Sequence, residues 1–121
     1  MWRNPSQVLL AAAGALALAL AAPAPALADP AAIYAGLVYD ILLLRQCGQA
    51  DETVETGFRL AVHELIGAGD MSPDAFAAAR AAGEARYEVE VRDRGSGPAD
   101  PRCRREAVAA AGRLRAVIEQ E

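Results

Sequence analysis

Several kinds of residue that mark functional sites are scarce in this sequence. Its 121 residues include one histidine, two cysteines and no lysine. Gly67 follows His63 by four residues, so the two-histidine helix motif of zinc enzymes is absent. No glycine-rich nucleotide loop occurs, and no signature places a nucleophile and an orienting group with His63. We therefore predict no catalytic, cofactor-binding or metal-binding residues, and we expect His63 to lie exposed or partly buried at a helix edge.

Positive charge is also in short supply. Twelve basic residues, all arginine, stand against 16 aspartates and glutamates, which gives a net charge of −4 at pH 7. A chain with this balance is poorly suited to the phosphate backbone of nucleic acids and to anionic membrane surfaces. The composition therefore predicts that nucleic acid is not a partner.

The sequence has one long apolar run, Val8–Ala22, and no second stretch of membrane-spanning length. Arg3 precedes the run, prolines follow it, and Ala26-Leu27-Ala28 places small residues where signal peptidases cleave. Residues 1–28 are therefore predicted to be a secretory signal peptide, with cleavage after Ala26 or an uncleaved anchor as alternatives. The remaining domain, residues 29–121, is expected to be periplasmic or secreted, without stable membrane insertion after cleavage.

The two cysteines, Cys47 and Cys103, lie far apart in the sequence, unlike the closely spaced cysteines of redox-active pairs. An exported chain with two cysteines is expected to oxidise them to one intramolecular disulfide. The pair is therefore predicted to be structural.

Helix-start signals occur four times in the predicted mature domain, each a capping residue followed by proline or an acidic residue. The predicted starts are Asp29-Pro30, Asp51-Glu52, Ser72-Pro73 and Asp100-Pro101. Residues 85–94 are ambiguous, because Tyr87, Val89 and Val91 alternate with charged residues as in a strand. We favour a helix there, because Glu88 and Arg92 have the stabilising i, i+4 spacing and no other segment offers a strand partner.

The spacing of these elements predicts an all-α fold, a four-helix up-down-up-down bundle closed by one disulfide. Short connections between successive helices favour antiparallel neighbours. That arrangement brings the end of the first helix beside the start of the fourth. Cys47 and Cys103 occupy those two places, so the predicted topology and the predicted disulfide agree.

Two surface features are candidates for contact with a partner. An arginine cluster surrounds the predicted connection between helices 3 and 4, where exposed N–H groups of a helix start could also hold an anion. Its members are Arg92, Arg94, Arg102, Arg104 and Arg105. The alternative is a solvated corner that neutralises itself through Asp93, Asp100 and Glu106. The second feature is on helix 1, where Tyr39 and Leu43 fall opposite Ile33 and Ile41, so the helix is either centrally buried or partly an interface.

Carboxylate pairs such as Glu84 with Glu88 are numerous, but in so acidic a chain they are expected to be solvated helix faces. Acid and base roles of the glycosidase type would also need a cleft. We expect no cleft in a compact bundle of this size.

The layout resembles small exported bacterial proteins of unknown function that have two cysteines and only helices. The resemblance covers about residues 33–115 and is carried by Cys47-Gly48 after a first amphipathic helix and by Cys103 at the start of the last. The layout is also similar to that of periplasmic acid-stress chaperones, which are helical with one disulfide, although this chain has no lysine. The first resemblance implies an exported helical domain, and the second implies exposure of apolar surface at low pH.

The resulting functional hypothesis is a non-enzymatic exported accessory or interaction protein that binds a protein partner or self-associates. One alternative is an acid-stress-type periplasmic chaperone, loosened when its carboxylates are protonated. Another is a bundle that binds a small ligand in a cavity lined by Ala78, Ala82 and Gly83. An enzyme is the least supported alternative, because no catalytic motif is found.

Overall fold

The structure is a computed structural model and describes residues 29–69, 71–93, 97 and 99–120. Within these residues it is all-helical and contains no strand. The four α-helices are α1 (Pro30–Gln46), α2 (Glu52–Gly67), α3 (Pro73–Tyr87) and α4 (Ala107–Glu119). A π-helical turn, Glu88–Arg92, continues α3, and a second one, Arg102–Glu106, leads into α4. The predicted signal peptide, residues 1–28, lies outside the described residues.

Local capping explains where the helices begin. The side chains of Asp51, Ser72 and Asp100 each accept a hydrogen bond from a backbone N–H two or three residues later, at 2.8 to 3.1 Å. These bonds satisfy N–H groups that have no partner within the helix. Pro30 takes the first position of α1, as predicted, but the side chain of Asp29 makes no capping hydrogen bond. The predicted starts of α1, α2 and α3 are therefore confirmed, whereas Asp100 caps the π-helical turn that leads into α4, and α4 itself begins at Ala107.

Helix α1 is the centre of the domain. It packs mainly against α3 and also contacts α2 and α4, whereas α2 packs mainly against α4. Two groups of buried side chains result, and α1 contributes to both. Ile41, Leu43 and Leu44 belong to the larger group, with Leu114 of α4, and Val38 belongs to the smaller group.

The prediction that Tyr39 and Leu43 form an interface is wrong, because both lie in the core of the free chain. Their exposed fractions are 1% and 0%. The other interpretation, that α1 is buried centrally, is the one observed. Ile33, on the side of α1 opposite Tyr39 and Leu43, is 40% exposed.

The ring of Tyr39 is buried, but charged side chains lie next to it. Its hydroxyl donates a hydrogen bond to Oε1 of Glu106 at 3.2 Å, and the guanidinium carbon of Arg86 lies 3.8 Å from its ring centroid. Burial, and then the negative charges of Glu106 and Glu90, raise the pKa of Tyr39 to about 12. The phenol is therefore held neutral in the folded protein well above its ordinary range.

The ambiguous segment after Tyr87 is helical, as favoured by the charge pairs. Glu88 and Arg92 form an i, i+4 ion pair at 3.3 Å. Val91 is fully buried, whereas Val89 is 58% exposed. Val89 and Val91 would lie on one face of a strand, but in this helix Val91 points toward the core and Val89 points toward solvent.

The predicted disulfide joins Cys47, directly after α1, to Cys103, in the π-helical turn before α4. The two Cα atoms are 5.4 Å apart, and Cys103 is 1% exposed. Gly48 follows Cys47 with φ of +70°, so glycine suits the turn that ends α1. The Gln49 side chain then donates a hydrogen bond at 2.7 Å to the carbonyl oxygen of Cys103, which fixes the two segments together beside the sulfur atoms.

Both of the main helix pairs approach each other at a glycine. A Cβ atom on Gly57 of α2 would collide with the backbone of Leu114 in α4, and one on Gly83 of α3 would collide with Ala35 and Val38 of α1. The sequence prediction that the small residues up to Gly83 allow a neighbouring helix to come close is confirmed. Backbone contact of this kind leaves no room for even one methyl group.

Gly57→Ala is expected to lower the free energy of unfolding by roughly 1–3 kcal/mol, because the added methyl meets backbone that cannot turn aside. Gly36→Ala is the matched control, since a Cβ at position 36 in α1 meets nothing within 4 Å. There the greater helix preference of alanine should raise the free energy of unfolding by about 0.5–1 kcal/mol. Urea denaturation of the three proteins measures both changes. Equal effects of the two substitutions would contradict the close crossing of α2 and α4.

Tyr39→Phe is expected to change how stability depends on pH. The unfolded chain loses the Tyr39 proton near the ordinary pKa of 10, whereas the folded chain retains it up to about 12. The free energy of unfolding should therefore be independent of Tyr39 ionisation below pH 10 and fall between pH 10 and 12. The variant should lack that part of the fall, and its absorbance titration at 295 nm should lack the late phenolate. Identical late titrations of the two proteins would show that Tyr39 is not buried.

Candidate functional site

A groove of about 730 Å³ lies between α1, α2 and α3. Helices α2 and α3 hardly touch each other, so a groove remains between them above α1. Its floor consists of the buried residues Tyr34, Val38 and Ile41 and the partly buried Leu42. The expectation that so small a bundle has no cleft is therefore wrong.

The walls of the groove are apolar near the floor. Helix α2 contributes Phe58, Val62 and Ile66, which recur every four residues and therefore share one face. Helix α3 contributes Phe76 at one end of the groove and Tyr87 at the other. Ile66 is 57% exposed, so the groove presents apolar surface directly to solvent.

One end of the groove is built around Tyr34. Its ring stacks on Phe76 with centroids 4.0 Å apart and planes 18° from parallel. Nε of Arg80 donates a hydrogen bond to the Tyr34 hydroxyl at 3.2 Å, and the Arg80 guanidinium lies 5.9 Å from the Phe76 centroid. This arrangement fixes a positive charge beside two aromatic rings at the edge of the groove.

The other end is closed by an ion pair between α1 and α2. Arg45 donates two hydrogen bonds to the Glu55 carboxylate, at 2.8 and 2.9 Å. These bonds, and the charge of Arg45, hold the pKa of Glu55 below its ordinary value although partial burial opposes the shift. The Arg45 charge at this end of the groove is therefore matched by an acceptor on the neighbouring helix.

Charged side chains follow the upper edges of both walls. Arg59 and His63 lie on the α2 edge, and Glu84 and Glu88 lie on the opposite edge formed by α3 and its π-helical turn. His63 is exposed at the edge of its helix, as predicted. Glu84 and Glu88 are also exposed, as expected for a solvated carboxylate pair, and they face the groove.

Two members of the predicted arginine cluster are paired with acidic neighbours. Arg92 lies 3.3 Å from Glu88 and 3.5 Å from Asp93, and Arg102 lies 3.4 Å from Asp100. Arg104 and Arg105 are exposed in the π-helical turn before α4, and Arg94 lies outside the described residues. Contact of this cluster with an anion or an acidic partner stays a prediction.

The predicted cavity beside Ala78, Ala82 and Gly83 is wrong. Ala78 and Ala82 are exposed, and Gly83 packs against the backbone of α1. Glycine at the crossing brings the two helices together and leaves no space between them. The observed groove lies beside this crossing, between α3 and α2, and Val38 belongs to both.

Sequence analysis missed the groove residues Val62, Ile66 and Arg80. The sequence feature that could have indicated the groove is the wide apolar face of α2. Phe58, Val62 and Ile66 form one apolar stripe there, and a second stripe beside it ends at Leu65. A face that wide exceeds what one neighbouring helix covers.

The groove provides an apolar surface with charged edges to which another molecule could bind. Among the described residues, no three His, Cys, Asp or Glu side chains are grouped closely enough to hold a metal ion. No helix in the described part of the chain is long and apolar enough to cross a membrane. Comparison of the chain with protein-family models, with curated proteins and with solved structures found no match.

Proposed function

We propose that this protein is a non-enzymatic, exported interaction protein, periplasmic or secreted, whose groove binds an amphipathic helix of a partner protein. The observation that carries the proposal is the apolar groove between α2 and α3, with the exposed Ile66 in its wall and with charged edges. A helix laid in such a groove would bury its apolar side and keep its charged flanks in solvent. This is a common way for one helical protein to recognise another.

The dimensions of the groove support a helical occupant. Its floor follows α1 from Tyr34 to Arg45, which is about 16 Å of helix at 1.5 Å per residue. That length matches three turns of a bound helix, enough for apolar anchors at positions i, i+4 and i+7.

Export is supported by two independent features. The first is the charged start, apolar run and Ala26-Leu27-Ala28 of residues 1–28, which have the pattern of a cleavable signal peptide. The second is the Cys47–Cys103 disulfide, since such bonds persist in oxidising compartments. The proposed mature protein begins at Asp29.

An up-down-up-down course of the four helices is part of the proposal. Tyr34 meets Phe76 near the starts of α1 and α3, and the Tyr87 hydroxyl donates a hydrogen bond to Gln46 at their ends, which supports a parallel pair. The Arg45–Glu55 pair supports an antiparallel course of α2. In this topology α2 and α3 run on either side of α1 and form the two walls.

A second candidate is a small apolar ligand. The groove volume of about 730 Å³ lies within the range of small-molecule sites. This candidate keeps the same residues in the same roles and differs only in what fills the groove.

A photoreactive benzoylphenylalanine in place of Ile66 tests the proposal in the producing cells. Ile66 is 57% exposed in the groove, so irradiation is expected to produce a covalent adduct with a partner protein. Val62→Glu in the same protein should abolish the adduct, because a charge in the apolar wall opposes burial of an apolar face. The adduct is measured by mass spectrometry, which also identifies the attached segment of the partner.

Benzoylphenylalanine in place of Val108 is the matched control. Val108 is 55% exposed on α4 and does not line the groove, so the probe is equally accessible there but should form no adduct. A partner segment with an amphipathic helical pattern would support the proposal. Adducts in equal amount from both positions, or none from position 66, would contradict it, and an adduct with a small molecule would establish the second candidate instead.

A further inference from the structure

The two edges of the groove carry opposite charge. The α2 edge presents Arg59 and His63, and the edge formed by α3 and its π-helical turn presents Glu84 and Glu88. Each pair spans about one helical turn, so the two polar edges flank the apolar floor, with the charge of Arg59 on one edge and the charges of Glu84 and Glu88 on the other.

The remaining charged groups of the lining are held in contacts inside the protein. Arg45 is bound through two hydrogen bonds to Glu55, and Arg80 is bound to the Tyr34 hydroxyl. These contacts keep both arginines at the ends of the groove and away from its middle. The charges that face an occupant along the middle of the groove are therefore those of the two edges.

The charges of Arg59, Glu84 and Glu88 are offset only in part inside the protein. Among the described residues Glu84 forms no ion pair, although its charge interacts with that of Arg80, one turn before it, as the charge of Arg59 does with that of Glu55. Glu88 pairs with Arg92 at 3.3 Å, but both side chains are at least half exposed, so the pair contributes little and can rearrange. Arg59 donates a hydrogen bond to the Thr56 hydroxyl at 3.1 Å, which leaves its charge unneutralised by that contact.

We infer that the groove selects amphipathic helices with one acidic and one basic flank, the acidic flank facing Arg59 and the basic flank facing Glu84 and Glu88. The inference rests on the proposed helix-binding function and specifies the partner. A helix with two acidic flanks meets repulsion at Glu84 and Glu88, and one with two basic flanks meets repulsion at Arg59. Because charge on interface edges mainly rejects wrong partners, the two edges act as a specificity device. They also fix the direction in which a bound helix lies.

Three synthetic peptides of about four helical turns test the inference. They share one apolar stripe and differ only in their flanks, which carry glutamate on one side and lysine on the other, glutamate on both, or lysine on both. Fluorescence anisotropy with the disulfide-bonded mature protein at low salt is expected to show the mixed peptide binding at least fivefold more tightly than either of the others. The difference should shrink as salt is added, since exposed charges are screened.

Reversing the charge of the acidic edge, Glu84 and Glu88, tests whether that edge selects the peptide. The double variant Glu84→Arg, Glu88→Arg makes both edges basic, so the peptide with two acidic flanks should become the tightest ligand. The variant Glu64→Arg, Glu119→Arg changes the net charge equally at exposed positions outside the groove and should preserve the original order. Circular dichroism establishes that all variants are folded.

The outcomes separate this inference from the function on which it rests. Equal affinity for all three peptides, or an unchanged order after the Glu84 and Glu88 reversal, would overturn the charge selection and leave helix binding intact. Failure of all three peptides to bind at any salt concentration would overturn the helix-binding function itself.

Discussion

The structure depends on one constraint, the nearly all-round apolar surface of α1. A helix of this kind has to be covered on every side, yet this domain has only three other helices with which to cover it. Helix α4 and the segment after α3 cover the side that includes Tyr39 and Leu43, and the crossing at Gly83 covers another. The side between α2 and α3 is covered incompletely, because Leu42 there is only partly buried and borders the groove. The groove is therefore a consequence of how the helices are distributed around α1.

The disulfide stabilises this arrangement of the helices around α1. It joins the end of α1 to the segment that leads into α4, and it closes a loop of 56 residues. In the chain-entropy model, a crosslink over such a loop stabilises the fold by roughly 4 kcal/mol through restriction of the unfolded state. Much of the α4 contribution to the core consists of alanines 107, 110 and 111, which bury little apolar area each. A covalent link at the α1–α4 contact compensates for that small area, so α2 and α3 can leave part of α1 open.

The sequence predicted local features well and long-range packing poorly. The sequence correctly predicted the helix caps at Asp51 and Ser72 and the disulfide between Cys47 and Cys103. A cap depends only on residues that are neighbours in the sequence, and a disulfide depends only on its two cysteines. The sequence left open whether Tyr39 is buried or forms an interface, and the groove beside Val62 was not predicted. Periodicity states which faces of a helix are apolar, but it does not state which neighbour covers each face. The close helix crossings at Gly57 and Gly83 determine which neighbour covers each face, and each crossing involves residues that are far apart in the sequence.

The central claim is that the groove between α2 and α3, bordered by Leu42 and Val62, is open to solvent in the free protein. The most direct measurement is the relaxation that a soluble paramagnetic agent induces in side-chain methyl groups, observed by NMR. The methyl groups of Leu42 and Val62 should relax strongly, whereas those of Leu43 and Leu44, whose side chains are fully buried, should be protected. Equal protection of Leu42, Val62 and Leu43 would show that α2 and α3 close over α1, and it would contradict the account.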